Sequence, residues 1–167
     1  KGMWEMKKSI TMRVKFYWSG VNYENLRGLD NIMYTEVGTT YYSEVMKALD
    51  KTVLFETAKA KFFDEYLEKL KEVIDVHEID YLVVSHTEPD HAGSVEMLLE
   101  LSPQMKVVGT GCALGFLKEI VNRDFVGIPA RDGDKMEIGN RTLRFMFVPN
   151  LHWPDTMYTF IEEEQIL

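Results

Sequence analysis

Apolar positions along this chain change their spacing several times, and each change predicts a different element. Over residues 12–18 they alternate, with Val14, Phe16 and Trp18 set against Arg13, Lys15 and Tyr17. A period of two marks a half-buried strand. Residues 32–34, 39–45 and 52–56 predict further short strands, divided by Gly38 and by Leu49-Asp50-Lys51. From residue 62 to 74 the spacing turns helical. Phe62, Tyr66, Leu67, Leu70, Val73 and Ile74 form one stripe, and Asp64, Glu65, Glu68, Lys69 and Lys71 lie between them. Such a helix buries its stripe and leaves its charges in water.

Strand and helix then alternate: strand 81–85, helix 93–101 stopped by Ser102-Pro103, strand 106–109, helix 113–121. Two successive strand-to-helix units predict right-handed crossovers and a partly parallel sheet covered by helices. Beyond Pro129 the pattern returns to strands at 135–138, 141–149 and 157–161, with a turn at Gly139-Asn140 and a last strand starting at Gln165. Residues 1–10 are read as irregular or foreign to the domain, and residues 1–167 as one domain.

Composition narrows the classes. A chain of 167 residues with 46% apolar content can bury one core. The net charge of -8, from 27 acids against 19 bases, argues against a nucleic-acid partner. No run approaches the roughly 18 apolar residues of a membrane helix, and the start lacks the apolar centre of a signal peptide. No membrane partner is expected. The single Cys112 has no disulfide partner within the chain, which fits a reducing cytoplasm. Its expected place is as a small buried hydrophobe.

The chemistry concentrates in residues 85–91, Ser-His-Thr-Glu-Pro-Asp-His, immediately after the strand-like run 81–84. His86, Glu88, Asp90 and His91 are potential metal ligands on a loop that a sheet can hold rigid. Two imidazoles and two carboxylates suit iron, manganese or zinc. His152, in Asn-Leu-His-Trp-Pro-Asp, again follows a strand, so the two loops could converge at one sheet edge. His77 has no acidic cluster at ligand spacing and is read as surface structure.

His86-x-Glu88-x-Asp90-His91, followed by Leu151-His152-Trp153-Pro154-Asp155, resembles the diiron domain of flavodiiron proteins. These A-type flavoproteins reduce dioxygen or nitric oxide. Residues 33–40 and 83–93 resemble the same family's N-terminal part. The resemblance implies an α+β fold, the N-terminal part of a metallo-β-lactamase-like αββα sandwich. It also implies that His86, Glu88 and His152 hold one iron, and that Asp90 and His91 hold a second. Electrons would come from FMN in a flavodoxin-like domain, refilled by rubredoxin or a similar donor, across a head-to-tail homodimer in the cytoplasm of an anaerobe. Trp153 and Pro154 would wall the site, and Asp155 would support the ligands.

Relatives that hydrolyse substrates with zinc usually carry His where Glu88 stands. A hard carboxylate there favours iron redox chemistry, although zinc accepts it too, so a zinc-dependent hydrolase stays as an alternative. The family's bridging Asp and final His would fall after Leu167, and the flavodoxin-like domain is absent from these residues. The expectation is therefore an incomplete domain whose exposed apolar sheet face calls for a partner segment or self-association. A non-catalytic dioxygen-binding or sensing diiron domain is the remaining alternative.

Overall fold

The computed structural model of the chain describes residues 9–13, 15–29, 33–36 and 38–167. Val14 and Ile32, members of two expected strands, lie outside them. The chain begins with β1 (Ile10–Arg13), β2 (Phe16–Trp18), β3 (Val21–Tyr23), β4 (Gly28–Leu29), β5 (Met33–Tyr34), β6 (Thr39–Tyr41), β7 (Glu44–Ala48) and β8 (Lys51–Phe55). A 3-10 turn (Ala60–Phe62) leads into α1 (Phe63–Lys71), followed by β9 (Tyr81–Val83), α2 (Pro89–Ala92), α3 (Val95–Leu101), β10 (Lys106–Thr110), α4 (Gly111–Ile120) and β11 (Val126–Ala130). The hairpin β12 (Lys135–Ile138) and β13 (Arg141–Phe147) precedes β14 (Met157–Ile161).

Seven strands form one sheet in the order β1-β2-β7-β8-β9-β10-β11. The pairs from β1 to β8 are antiparallel, whereas β8, β9, β10 and β11 run parallel. Successive residues of a strand face opposite sides, and here both sides are apolar. Leu54, Leu82 and Val107 join the core beneath the helices with Tyr66, Leu70, Leu98 and Leu117. Val53, Val83 and Val108 face the other way, against Leu143, Phe145, Met157 and Ile161 of the antiparallel sheet β12-β13-β14. Each such side chain, fully buried, contributes roughly 1.5–3 kcal/mol. The layers thus run helix, sheet, sheet. At the β12–β13 turn Gly139 has φ 58, and a Cβ there would meet the Ala48 carbonyl at 2.2 Å, so the turn rests directly on the end of β7.

The periodicity located the central elements and missed local breaks. The expected strand 12–18 is a hairpin, because Lys15 turns at φ 65 and Arg13 pairs with Phe16. The expected strand 39–45 is divided at Tyr42-Ser43. β6 pairs with β3 apart from the main sheet, and the buried Ser43 hydroxyl bonds the Tyr66 hydroxyl at 2.8 Å. The helix expected over 93–101 is α3, from Val95, and a separate short helix, α2, precedes it at Pro89–Ala92, where proline at the first helical position has its φ already set. β11 was not anticipated: Gly127 and Pro129 mask it, yet an edge strand tolerates proline.

Two further expectations are corrected. Cys112 is exposed, because α4 turns Ala113, Leu114 and Leu117 toward the core and leaves residue 112 on its outer side. The outer face of β12-β13-β14 is mixed, not apolar. Lys135, Glu137, Thr142 and Arg144 share it with Met146, Tyr158 and Phe160, the alternation of an antiparallel sheet packed on one side only.

Candidate metal centre

Because β8, β9 and β10 are parallel neighbours, their C-terminal ends open at one sheet edge. The chain leaving β9 carries His86 and Glu88, and Pro89 then starts α2, so Asp90 and His91 occupy a helical turn and not an open loop. The second sheet reaches the same edge through Met157, whose N–H donates to the Ser85 carbonyl at 2.9 Å. His152 lies on the loop just before it, at φ 81. That conformation is uncommon for a residue with a side chain and persists only when its surroundings impose it. Here the Asn150 N–H donates to the Trp153 carbonyl at 2.9 Å, and the Thr156 hydroxyl donates to the same carbonyl at 2.7 Å.

The two loops meet at Glu88. One of its carboxylate oxygens, Oε2, stands 2.6 Å from His152 Nε2 and 3.3 Å from His86 Nε2. Ligand atoms of the three residues lie within 4.8 Å of one another. Donors about one metal at ~2.0–2.2 Å are separated by roughly 3.4 Å in a tetrahedron, so small side-chain shifts suffice. The His86 side chain is 12% exposed and that of His152 is 52%, which leaves one side of the cluster open to solvent.

Asp90 and His91 form a second pair beside the first. Their Oδ2 and Nε2 atoms are 3.7 Å apart, and the His91 and His86 rings are 4.2 Å apart. Asp90 Oδ1 is buried without a hydrogen-bond partner, as are His91 Nδ1 and Glu56 Oε2, which face each other at 3.4 Å. The orphaned Asp90 oxygen calls for an explanation, and a cation beside it supplies one. Burial works against a charged His91, but Glu56, followed by Asp90 and Glu88, outweighs it and raises the imidazole pKa above its ordinary value. The donor set and the orphaned Asp90 oxygen fit metal binding.

Two supporting carboxylates flank the ligand segment. Asp155 is buried, and its Oδ2 accepts both the Thr87 N–H and the Thr87 hydroxyl at 2.8 Å, tying the His152 loop to the His86 loop. Glu56, at the end of β8, accepts the Ser85 N–H at 2.6 Å. The Trp153 ring lies 6.3 Å from that of His86 and walls one side. Sequence reasoning missed Glu56, because it reads as the polar end of strand 52–56. Glu44 was missed too: burial, then the nearby Glu56 charge, push its carboxyl up to about 7. His77 is exposed and bonds the Leu101 carbonyl, away from the cluster.

A sequence profile described as ODP family beta lactamase matches residues 40–167. The chain belongs to that family. Relatives that it matches are named as flavo-diiron proteins or diflavin flavoproteins. It is 42% identical over 160 residues to a flavo-diiron protein of Clostridium acetobutylicum, covering 95% of this chain and 40% of the relative. It is 35% identical over 163 residues to a nitric oxide reductase of Moorella thermoacetica, covering 97% of this chain and 41% of the relative. The solved rubredoxin oxygen:oxidoreductase of Desulfovibrio gigas superposes with a TM-score of 0.88 at 30% identity, over 94% of this chain and 39% of that one. This ODP chain therefore spans about 40% of the length of the relatives it matches. The flavodiiron resemblance and the metallo-β-lactamase-like α+β fold expected from the ligand motif are both borne out. Among the described residues, no helix is long and apolar enough to cross a membrane.

Proposed function

We propose that residues 1–167 supply the N-terminal part of the diiron domain of a flavodiiron oxidoreductase that reduces dioxygen to water, nitric oxide to nitrous oxide, or both. The observation that carries this reading is the single carboxylate oxygen of Glu88 shared between His86 and His152, on loops from two different sheets. His86, Glu88 and His152 hold one iron, and Asp90 and His91 hold the other. The iron pair, when bound, supplies the electron-transfer chemistry at the substrate.

The chain's own contribution is geometric. Asp155 fixes the spacing of the two ligand loops through Thr87, and Trp153 limits water on one side of His86. The electrons are proposed to come from FMN on a flavodoxin-like domain of the whole protein, refilled by rubredoxin or a similar donor, within a head-to-tail homodimer in the cytoplasm of an anaerobe. A supporting finding is that the names of two relatives describe nitric oxide reduction and rubredoxin-linked oxygen reduction.

The test is metal content after anaerobic reconstitution with iron(II). His86→Ala or His152→Ala should remove most of the bound iron, and His77→Ala should leave it unchanged, because only the first two open the ligand set. Equal iron in all three variants by elemental analysis refutes the assignment. Preferential zinc uptake with hydrolysis of a thioester or phosphodiester would instead favour a hydrolase.

A further inference from the structure

The structure assigns Glu56 as the positioning residue that fixes the tautomer of His91, holding Nδ1 protonated so that the Nε2 lone pair faces Asp90. This inference rests on the metal-site reading above and extends it to a residue outside the ligand set. Glu56 stands just beyond β8, where its N–H donates to the Val83 carbonyl at 2.9 Å and places it against the C-terminal end of β9. Its backbone turns through the left-handed region at φ 57, a costly conformation for Glu. The buried carboxylate points beneath the ligand segment. Oε1 is taken by the Ser85 N–H. Oε2 lies 3.4 Å from His91 Nδ1 as an ion-pair contact, and neither of these two buried atoms makes a hydrogen bond to the other or elsewhere.

The next residue grips the same histidine by its backbone. Thr57 donates both its N–H, at 2.8 Å, and its hydroxyl, at 2.7 Å, to the His91 carbonyl. Residues 56 and 57 thus hold His91 at the ring and at the main chain. A carboxylate only accepts, and a neutral imidazole carries its proton on one nitrogen. With Nδ1 protonated, the ring donates toward Glu56 and offers Nε2 toward Asp90 Oδ2, 3.7 Å away. With Nε2 protonated, lone pairs would oppose each other at the shorter contact, 3.4 Å from Nδ1 to Glu56, and not at the 3.7 Å contact with Asp90, and the proton would occupy the direction a metal needs. A partner on the far nitrogen is how a metal-ligating histidine is usually oriented.

Glu56→Gln gives a specific test. The Ser85 N–H still claims the side-chain oxygen, so the amide NH2 faces His91 Nδ1 and demands an acceptor there. The tautomer should reverse. It is read by long-range 1H–15N NMR on the metal-free full chain with chelator present, at alkaline pH where the ring is neutral. Wild type should show His91 as the Nδ1–H form, Glu56→Gln as the Nε2–H form, and Thr57→Val, which removes the hydroxyl donor to the His91 carbonyl and the acceptor of the Ser94 N–H but leaves Glu56 in place, should match wild type. An Nε2–H form in wild type, or an unchanged Nδ1–H form in folded Glu56→Gln, overturns the assignment. If Glu56→Gln does not fold, Glu56→Asp decides. It can keep the Ser85 bond but falls one methylene short of His91, so mixed tautomers are expected and a pure Nδ1–H form overturns the assignment. The measurement needs no metal. Its failure removes the role of Glu56 alone, whereas unchanged iron in His86→Ala removes the metal reading.

Discussion

Replacing Glu44 by Gln should change the pH dependence of stability by an amount that follows from its surroundings. Glu44 opens β7 and pairs with Phe55, so it sits beside the strand end that carries Glu56. Burial, then the Glu56 charge, raise its folded pKa from 4.5 to about 7. At about 1.4 kcal/mol per pKa unit, the shift corresponds to about 3 kcal/mol. The folded state binds the proton more tightly than the unfolded state. The Glu44 contribution is therefore fully present below about pH 4.5 and is lost as pH rises through about 7. Gln keeps the neutral shape at every pH. Urea unfolding of metal-free wild type and Glu44→Gln, measured from pH 4 to pH 8, should show the variant gaining about 3 kcal/mol relative to wild type across that range. Comparing the two proteins cancels the titration of other groups. A difference that stays flat with pH, or one that grows toward acid, would refute the argument.

The other expectations concern the ligands and their supports. Glu88→His should shift preference from iron toward zinc in an anaerobic competition with both metals, because a neutral donor replaces a hard anion. Asp155→Ala removes the acceptor of two Thr87 hydrogen bonds and should cost about 3 kcal/mol in urea unfolding; a loss below about 0.5 kcal/mol would mean that the loops do not depend on it. The 167-residue chain should bind one iron at His86, Glu88 and His152 more tightly than a second at Asp90 and His91, since only the first three form a compact ligand group among the described residues. Mössbauer spectra of a coupled pair at two irons per isolated chain would contradict that order.

How far the sequence could be read depended on the range of the interactions involved. The central strands and α1 were legible because burial repeats along them: Leu70 and Tyr66 on the helix, Leu54 and Leu82 in the sheet, all fully buried. Residues 85–91 and His152 were legible as candidates because their residue types are rare and their spacing is tight. The hairpin at Lys15 was hidden, since a single left-handed residue leaves the alternation around it intact. The start of α2 at Pro89 was hidden for a related reason, because four residues are too few to show a period. Glu56 and Glu44 were illegible for a different reason. Their importance comes from Ser85 and His91, which are distant in sequence and become neighbours only when β8 and β9 pair in parallel.

Among the described residues, the groups that touch the candidate centre follow the ends of strands, and only Glu56, through its N–H to the Val83 carbonyl, extends a ladder of main-chain hydrogen bonds. The segments after β8, β9 and β13 can accept substitutions, insertions or a new donor without moving the register of Leu54, Leu82 or Val107 beneath them. Selection can then act on the chemistry and on folding as nearly independent traits. A lineage can exchange one ligand, alter which metal it favours and keep the same scaffold at every intermediate step. The limit on that freedom falls at Glu56 and Asp155, where a single side chain serves both the buried frame and the ligand segment. At those two positions, variation should be far narrower than at the exposed Leu151 beside His152.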